Sequence, residues 1–229
     1  MRFALVLQEK VNIYIIHCRY ECQMKIYELF EHEGREVFGL FMALRAVTQK
    51  PLQYFTENRK ELEKFLDQFD PIHPMPGRAY LSNDYRALVN LGTHAYDLDD
   101  DITIKNSVLS VFFVRFLKFA GYFGSSTSSA KPTKFGEKVI PDDTEIFMLR
   151  LVHQLVSVQA YNSHSVHEMS ENLEWVKIGT SINPSLALIN HSCDSNAIRC
   201  NLNRNSMLVA GRHIMQGDEI TDSYTLHFR

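Results

Sequence analysis

The sequence contains few of the residues that mark several common protein classes. Its 229 residues include only 10 glycines and 7 prolines, a composition that favours helix over a loop-rich or all-β domain. Lysine and arginine number 24 against 27 for aspartate and glutamate, which gives a net charge of −3. Because no basic excess is available to contact a phosphate backbone, we expect no direct nucleic-acid binding. Hydrophobic residues at 45% are enough to favour a folded chain over a disordered one.

Cysteine is also scarce, with four residues along the whole chain. Cys18, Cys22, Cys193 and Cys200 are too few and too scattered for a small secreted domain that is held together by disulfides. We therefore expect the protein to work in a reducing compartment.

Long uninterrupted apolar runs are absent as well. The N-terminal run over residues 1–17 is broken by Glu9, Lys10 and Asn12, and no small-residue cleavage site follows it. The run over residues 108–123 contains two basic residues, so it predicts a helix packed in a core. Neither run reaches the ~20 apolar residues that a membrane-spanning helix needs, and we expect no membrane segment.

The sequence does contain a helical pattern that is followed by short strand-like runs. Apolar residues recur at helical spacing over residues 23–69, 84–97 and 107–124, and residues 142–144 can cap a long helix that ends near Asn162. Proline and glycine predict a break at 71–77, and serine predicts a flexible loop at 125–133. After Trp175, short runs predict strands with turns at 204–205 and 216–217. This order predicts an α+β fold.

The densest polar cluster spans residues 189–200 and reads INHSCDSNAIRC. Short polar side chains in such a string bond to the backbone and hold an irregular turn, which leaves backbone groups for a ligand. A polar surface loop is the alternative, and it explains most strings of this composition. A metal site at His191 and Cys193 is a third interpretation, although two further ligands at useful spacing are missing nearby.

A second string, GDEITDSY at residues 217–224, follows about 30 residues further on. The two strings in this order resemble the SET domain of protein-lysine methyltransferases. In that family the two strings form a knot-like core beside the methyl donor. The resemblance therefore implies an α+β fold with a SET-domain β core in the C-terminal part of the chain.

Other segments narrow the resemblance to the SMYD family, and within it to the fourth paralogue. The segment HCRYECQMK is similar to the end of a MYND zinc finger. Three helical segments are similar to the large helical insertion of the SMYD SET domain: DYRALVNLGTH, FFVRFLKFAGYFG and QLVSVQAYNSHSV. The resemblance covers residues 17–229 and implies a finger remnant and unassigned N-terminus at 1–22, a helical SET insertion at 23–175 and the C-terminal part of the SET domain at 176–229.

The resemblance assigns roles to individual residues. It implies that Tyr224 is the catalytic tyrosine and that Asn190 and His191 hold S-adenosylmethionine. A tyrosine suits methyl transfer to lysine because its ring packs against the alkyl stem and its hydroxyl orients the amine. From the residues alone, the alternatives are a core strand tyrosine at 224 and a structural histidine at 191.

Four further positions match family residues that contact the methyl donor: Ala187, Leu188, Asn162 and His94. The alternative for Asn162 and His94 is an ordinary place on a helix surface.

The resemblance also implies zinc in the full-length protein. Cys193 would join three cysteines of a post-SET segment, and Cys18 and Cys22 would belong to the finger. His17 is an alternative to Cys18 as a ligand.

A few residues lie outside these roles or depart from the family pattern. Cys200 is expected to be a buried strand residue, and Asp218 and Glu219 are expected to close a turn or pair with an arginine. Ser195 stands where the family usually has proline, so the turn after Asp194 is expected to be less rigid. Because the family also has a first SET segment and a post-SET region, we expect this chain to be the middle of a longer enzyme. By itself it is expected to bind S-adenosylmethionine weakly or not at all.

These features together predict a protein-lysine N-methyltransferase that transfers a methyl group from S-adenosylmethionine to a histone or another protein. The resemblance implies a cytoplasmic and nuclear location, with chromatin-associated proteins or deacetylases as partners. One alternative is a catalytically inactive SMYD-like fragment that acts as a protein-interaction scaffold. Another is a zinc-binding structural module, against which the small number of cysteines argues.

Overall fold

The computed structural model describes residues 36–66, 84–94, 99–124, 140–169, 172, 175–202 and 205–225. Cys18, Cys22 and the expected finger remnant lie outside the described residues, as do the predicted break at 71–77 and the predicted loop at 125–133. Within the described part, residues 36–66, 92–94, 99–124 and 140–161 belong to one compact unit, which we call the helical unit. Residues 84–91 and 162 onward belong to a second, which we call the strand unit.

The helices and strands follow one another along the chain in a mixed α+β order. Before the first strand the helices are α1 (Glu36–Thr48), α2 (Leu52–Glu57), α3 (Arg59–Leu66), α4 (Tyr85–Val89), α5 (Asp100–Phe119) and α6 (Asp143–Asn162). The remaining elements are β1 (Ser163–Met169), β2 (Trp175–Ile182), α7 (Pro184–Ala187), β3 (Asn190–His191), β4 (Ala197–Leu202), β5 (Asn205–Ala210) and β6 (Thr221–Asp222). The predicted α+β fold is therefore confirmed at this level.

Helix α6 begins as the sequence predicts. The Asp142 carboxylate accepts a hydrogen bond from the Glu145 amide at 2.9 Å, and the Glu145 carboxylate accepts one from the Asp142 amide at 3.3 Å. This reciprocal pair is a capping box, which satisfies amide groups that the first turn of a helix leaves without partners. The helix then runs to Asn162, where the prediction placed its end.

Apolar side chains fill the interior of the helical unit. Helix α5 buries Phe113, Phe116 and Leu117, and helix α6 buries Phe147 and Leu151. Because these positions recur at spacings of three and four residues, each helix presents one apolar face. The hydroxyl of Tyr122, just after α5, donates to the Lys50 carbonyl at 2.8 Å and so ties this helix end to the segment after α1.

The helix predicted over residues 84–97 is too long. Helix α4 ends at Val89, and the amide of Asn90 donates to the carbonyls of both Arg86 and Leu88. Gly92 follows, and His94 has a φ of 52°, in the left-handed region that does not continue an α-helix. The helix itself was correctly predicted, but it ends early because the bonding changes after Asn90: the Leu91 amide donates to the Leu88 carbonyl, three residues back, at 3.4 Å.

The strand unit contains two antiparallel hairpins and one short parallel pair. Strand β1 pairs with β2 from Ser163↔Ile182 to Met169↔Trp175, and β4 pairs with β5 from Ala197↔Ala210 to Leu202↔Asn205. The hairpin predicted around residues 204–205 is thus confirmed, although Asn205 belongs to the strand and not to the turn. Strand β1 was not predicted, since strands were expected only after Trp175.

The last predicted strand run, near residues 218–226, is reduced to the two residues of β6. Side chains bond the backbone on either side: the Asp218 carboxylate accepts from the Met215 amide at 2.8 Å, and the Thr221 amide donates to Oδ1 of Asn196 at 2.9 Å. Asp218 therefore closes the predicted turn at Gln216–Gly217, where Gly217 has a φ of +97°. None of the described helices is long and apolar enough to cross a membrane.

Candidate functional site

The two polar strings of the sequence lie side by side in the strand unit. Strand β3 pairs in parallel with β6, with Asn190 opposite Thr221 and His191 opposite Asp222. The Ser192 amide extends the pairing by donating to the Asp222 carbonyl at 3.0 Å. The structure therefore joins residues that are about 30 positions apart in the sequence into one short backbone ladder.

Asn196 holds the two strings together through its side chain. Its Nδ2 donates to the Glu219 carbonyl at 2.7 Å, while its Oδ1 accepts from the Thr221 amide at 2.9 Å. Its own carbonyl accepts from the Gly211 amide at 2.9 Å. An asparagine can make these contacts because its amide carries both a donor and an acceptor, like a peptide group. The polar string is thus an irregular turn held by side-chain bonds, as predicted.

Tyr224 contacts the first string at two points. Its hydroxyl donates to the Ile189 carbonyl at 2.7 Å, and its backbone amide donates to Nδ1 of His191 at 3.0 Å. The two rings lie 5.2 Å apart between centroids. Tyr224 is 57% exposed and lies after β6, so the alternative of a core strand tyrosine is wrong.

These contacts determine which atoms of the pair remain available. Because the Tyr224 hydroxyl gives its proton to a carbonyl, the lone pairs of its oxygen can accept a hydrogen bond from an amine. Because Nδ1 of His191 accepts a bond from an amide, the neutral ring carries its proton on Nε2. Nε2 lies 3.3 Å from Sγ of Cys193, so both ring nitrogens have partners, as the structural-histidine alternative predicts.

The described residues do not provide a zinc site at Cys193. Its neighbour His191 is a possible ligand, but no cluster of three or more histidine, cysteine, aspartate or glutamate side chains suited to a metal occurs in the described part of the chain. A tetrahedral zinc site needs four ligands. The His191–Cys193 pair alone does not fit that requirement.

Asn190 is oriented by an acidic side chain of the second string. Its Nδ2 donates to Oε1 of Glu219 at 2.6 Å. Among the described residues its Oδ1 accepts no hydrogen bond, and the side chain is exposed. An exposed amide oxygen of this kind can accept a bond from an ammonium group. Glu219 is therefore a structural carboxylate as predicted, although it pairs with an asparagine and not with an arginine.

The remaining candidates for donor binding lie at different places. Ala187 is the last residue of the short helix α7, and Leu188 follows it with a partly exposed side chain. Asn162 ends α6 and is buried, so its helix-surface alternative is wrong. His94 belongs to the helical unit and lies in a loop, not on a helix. Its exposed ring lies 4.7 Å from that of Tyr161, measured between centroids.

One charged pair of the site was missed by the sequence analysis. Nε and Nη2 of Arg199 in β4 lie 2.8 Å and 2.5 Å from the same oxygen, Oδ2, of Asp222 in β6. The two side chains are only 16% and 8% exposed. One feature of the sequence indicated such a pair: each of the two residues is a charged side chain inside a short strand-like run. Cys200, next to Arg199, lies in the strand β4 as expected, but it is half-buried and not buried.

His164 in β1 also lies in this region. Burial, as the larger cause, and the positive charge of Arg199 together lower its pKa to about 4. Among the described residues its Nε2 is buried without a hydrogen-bond partner. His164 is therefore neutral at physiological pH, since a charged imidazole would be desolvated and would face a second cation.

Comparisons with known proteins place this geometry in a family. A comparison with curated proteins gives no match. A family model described as the SET domain matches residues 49–225, which is most of the chain and includes both polar strings. The parallel pairing of β3 with β6, and the contact of Tyr224 with His191, lie inside the matched region. The chain belongs to the SET domain family.

Proposed function

We propose that the protein is a SET-domain protein-lysine N-methyltransferase that uses S-adenosylmethionine as its methyl donor. The observation that carries this proposal is the β3–β6 pairing, together with the contact of Tyr224 with His191, the residue after Asn190, in a chain that matches the SET domain. The helical segments support SMYD-type membership, closest to the fourth paralogue, with the helical region as an insertion in the SET domain.

The donor-binding role falls on the first string. The exposed amide oxygen of Asn190 suits the ammonium end of an amino acid. By the resemblance, backbone groups near His191 would hold the adenine. Ala187 and Leu188 precede them directly, and Asn162 and His94 are the further candidates. The exposed oxygen of Asn190 thus suits S-adenosylmethionine, which when bound supplies a methyl group on a positively charged sulfur.

Tyr224 is the residue that would position the lysine, which is the methyl acceptor. A free lysine side chain has a pKa of about 10.4, so at neutral pH it must lose a proton before its nitrogen can accept a methyl group. The Tyr224 oxygen can accept a hydrogen bond from the amine, because the hydroxyl proton is already donated to the Ile189 carbonyl. This bond would orient the lone pair of the amine nitrogen toward the methyl group. The exposed ring can pack against the alkyl stem and helps to keep water from the nitrogen.

The wider assignments follow from the same resemblance. The proposed organisation is a finger remnant and unassigned N-terminus at 1–22, a helical insertion at 23–175 and the C-terminal SET part at 176–229. The substrate is a lysine of a histone or another protein, chromatin-associated proteins or deacetylases are the partners, and the location is cytoplasmic and nuclear. Zinc belongs to the proposal only for the full-length protein.

The decisive experiment replaces Tyr224 by phenylalanine in the protein expressed from its full coding sequence. Transfer of tritiated methyl groups to core histones, used as a lysine-rich probe, is expected to fall about 100-fold or more because the amine loses its positioning hydroxyl. Tyr54→Phe is the matched control, since Tyr54 is a half-buried tyrosine of α2 in the helical unit. Unchanged lysine methylation by Tyr224→Phe would remove the assigned role.

An inactive interaction scaffold is the second candidate function. One observation favours it: Ile104, Val108 and Val111 of α5 are exposed on one side of the helix, at spacings of four and three residues. The two functions are separated by the donor. If the full-length protein binds S-adenosylmethionine, and Asn190→Ala weakens that binding, the scaffold alone does not explain the chain.

A further inference from the structure

Asp222 is a buried carboxylate among exposed candidate site residues. Its side chain is 8% exposed, whereas Asn190, His191 and Tyr224 around it are exposed. A buried carboxylate without a partner is costly, because it loses its hydration. Arg199 provides the partner, with two nitrogens at 2.8 Å and 2.5 Å from Oδ2.

The position of Asp222 in the backbone gives the pair more than a local effect. Asp222 lies opposite His191 in the β3–β6 ladder, and its carbonyl accepts from the Ser192 amide. Two residues later, the Tyr224 amide donates to the His191 ring. Movement of Asp222 would therefore shift both the ladder and the tyrosine.

Arg199 itself lies in a far longer piece of sheet. Strands β4 and β5 form six register pairs, whereas β3 and β6 form only two. A two-residue ladder has too few backbone bonds to hold its register alone. Arg199 links that short ladder to the longer hairpin through a side chain with two donors in a rigid plane.

We propose that Arg199 is a positioning residue of the SET site. By holding Asp222, it fixes β6 against β3 and so sets the place of Tyr224 relative to Asn190 and His191. The inference deepens the proposed function and rests on it, since Tyr224 and Asn190 are the groups that would work on the lysine and the donor.

A role in positioning differs from simple compensation of a buried charge. If Arg199 only neutralised Asp222, removing both charges in Arg199→Met/Asp222→Asn would restore the wild-type properties, because buried pairs are often replaceable in this way. If Arg199 positions the ladder, the double variant recovers thermal stability but not the geometry. Arg199→Lys keeps the charge and loses the planar fork, so it should recover part of the effect.

The primary test measures amide hydrogen exchange by NMR at single residues, which requires neither donor nor substrate. In Arg199→Met we expect the Ser192 and Tyr224 amides to exchange about tenfold faster or more, while the amides of the β1–β2 hairpin keep their rates. In Arg199→Lys the change should stay within about threefold. Lys64→Met is the control, because it removes a cation from an exposed pair with Glu61 in the helical unit.

The second readout is methyl transfer to core histones by the full-length protein. We expect Arg199→Met to lower kcat about tenfold or more, with KM for the histone changed by less than about threefold, because the misplaced group is the tyrosine. If exchange accelerates as expected but no variant or wild-type protein transfers methyl groups, the proposed function fails and the positioning of the ladder stands.

Three results would overturn the inference. Uniform acceleration of exchange throughout the strand unit would show a general stabilising role. Unchanged exchange at Ser192 and Tyr224 would show that the pair does not hold the ladder. Full recovery of exchange rates in the double variant would show charge compensation only. If Arg199→Met does not fold, the lysine variant and the double variant decide between these outcomes by the same measurements.

Discussion

In the helical unit the buried side chains are mostly apolar, whereas in the strand unit the two motif segments are joined through polar groups. Phe113, Phe116 and Leu151 are examples of the first kind, with almost no exposed surface. The β3–β6 ladder, the Asn196 amide and the Arg199–Asp222 pair are examples of the second. Apolar burial is non-directional and supplies free energy of folding, while hydrogen bonds supply direction.

The difference indicates a division of labour between stability and geometry. A site that aligns an amine with a methyl donor, as proposed for this one, needs groups at defined distances, which polar contacts provide. Exposed polar contacts add little to stability, typically about 1 kcal/mol or less each. We therefore expect substitutions in the helical core to change stability most and substitutions around the ladder to change local geometry most.

The largest expected effect on stability is that of Leu151→Ala in α6. Leu151 is fully buried, so the truncation leaves a cavity and should lower the free energy of unfolding by about 2–5 kcal/mol. Urea denaturation followed by circular dichroism measures the change. Ile146→Ala on the same helix is the matched control, because Ile146 is exposed and should cost less than about 0.5 kcal/mol. Equal losses in both variants would contradict a core at Leu151.

The next largest effect is the pH dependence that His164 confers on the strand unit. Its pKa is about 4 in the folded state, below its ordinary value of 6.5, so the unfolded chain binds more protons between these values. Stability is therefore highest above pH 6.5 and should fall by about 2–3 kcal/mol as the pH drops to 4. Urea denaturation at several pH values should show a smaller loss in His164→Gln.

A comparison of two histidines separates the causes of this shift. Burial alone lowers the pKa of His153 in α6, whereas burial and the charge of Arg199 both lower that of His164. Arg199→Met should therefore raise the pKa of His164, measured by NMR titration, and leave that of His153 unchanged. A parallel change at both histidines would show that Arg199 does not act on His164 specifically.

Much of the helical unit could be predicted because its signals are local. Apolar spacing indicated α5 and α6, and Asp142 marked the start of α6 three residues before Glu145. Strand β1 was missed because SHSVHEM carries histidines and serines, without the apolar run that marks a strand. The prediction made helix α4 too long because the features that follow its end, the i−3 bond at Leu91 and the left-handed backbone at His94, depend on conformation and not on composition.

Only those residues of the candidate site that belong to recognisable motifs could be predicted from the sequence. The resemblance brought Asn190, His191 and Tyr224 together, and the structure describes contacts among their segments. The Arg199–Asp222 pair could not be predicted, since its partners are 23 residues apart and belong to different strands. Strands of two residues, such as β3 and β6, are too short for any periodicity to appear.

A smaller effect is expected from Asp142→Ala at the start of α6. The substitution removes the side chain that accepts from the Glu145 amide, and loss of an N-cap of this kind typically costs about 1 kcal/mol. Thermal denaturation measures the loss. Asp143→Ala is the adjacent control, because Asp143 is exposed, and its surface pair with Arg59 and its place in the first turn should be worth less than the cap. A larger loss in the control would contradict the capping box.

The smallest expected effect on stability is that of Arg212→Met. It allows an exposed arginine–aspartate pair of the strand unit to be compared with the buried pair of Arg199 and Asp222. Arg212 donates to Oδ2 of Asp194 at 2.8 Å and to the Asp194 carbonyl at 2.9 Å, just before Ser195. The side chains are 52% and 77% exposed, so water screens the pair and its loss should cost less than about 0.5 kcal/mol. Arg199→Met removes the same kind of cation from a buried partner and should cost several times more. Urea denaturation of the two variants side by side measures the ratio. If Arg212→Met is the more destabilising of the two, exposure does not decide what an arginine–aspartate pair contributes here, and the turn at Asp194 depends on Arg212 as β6 is proposed to depend on Arg199.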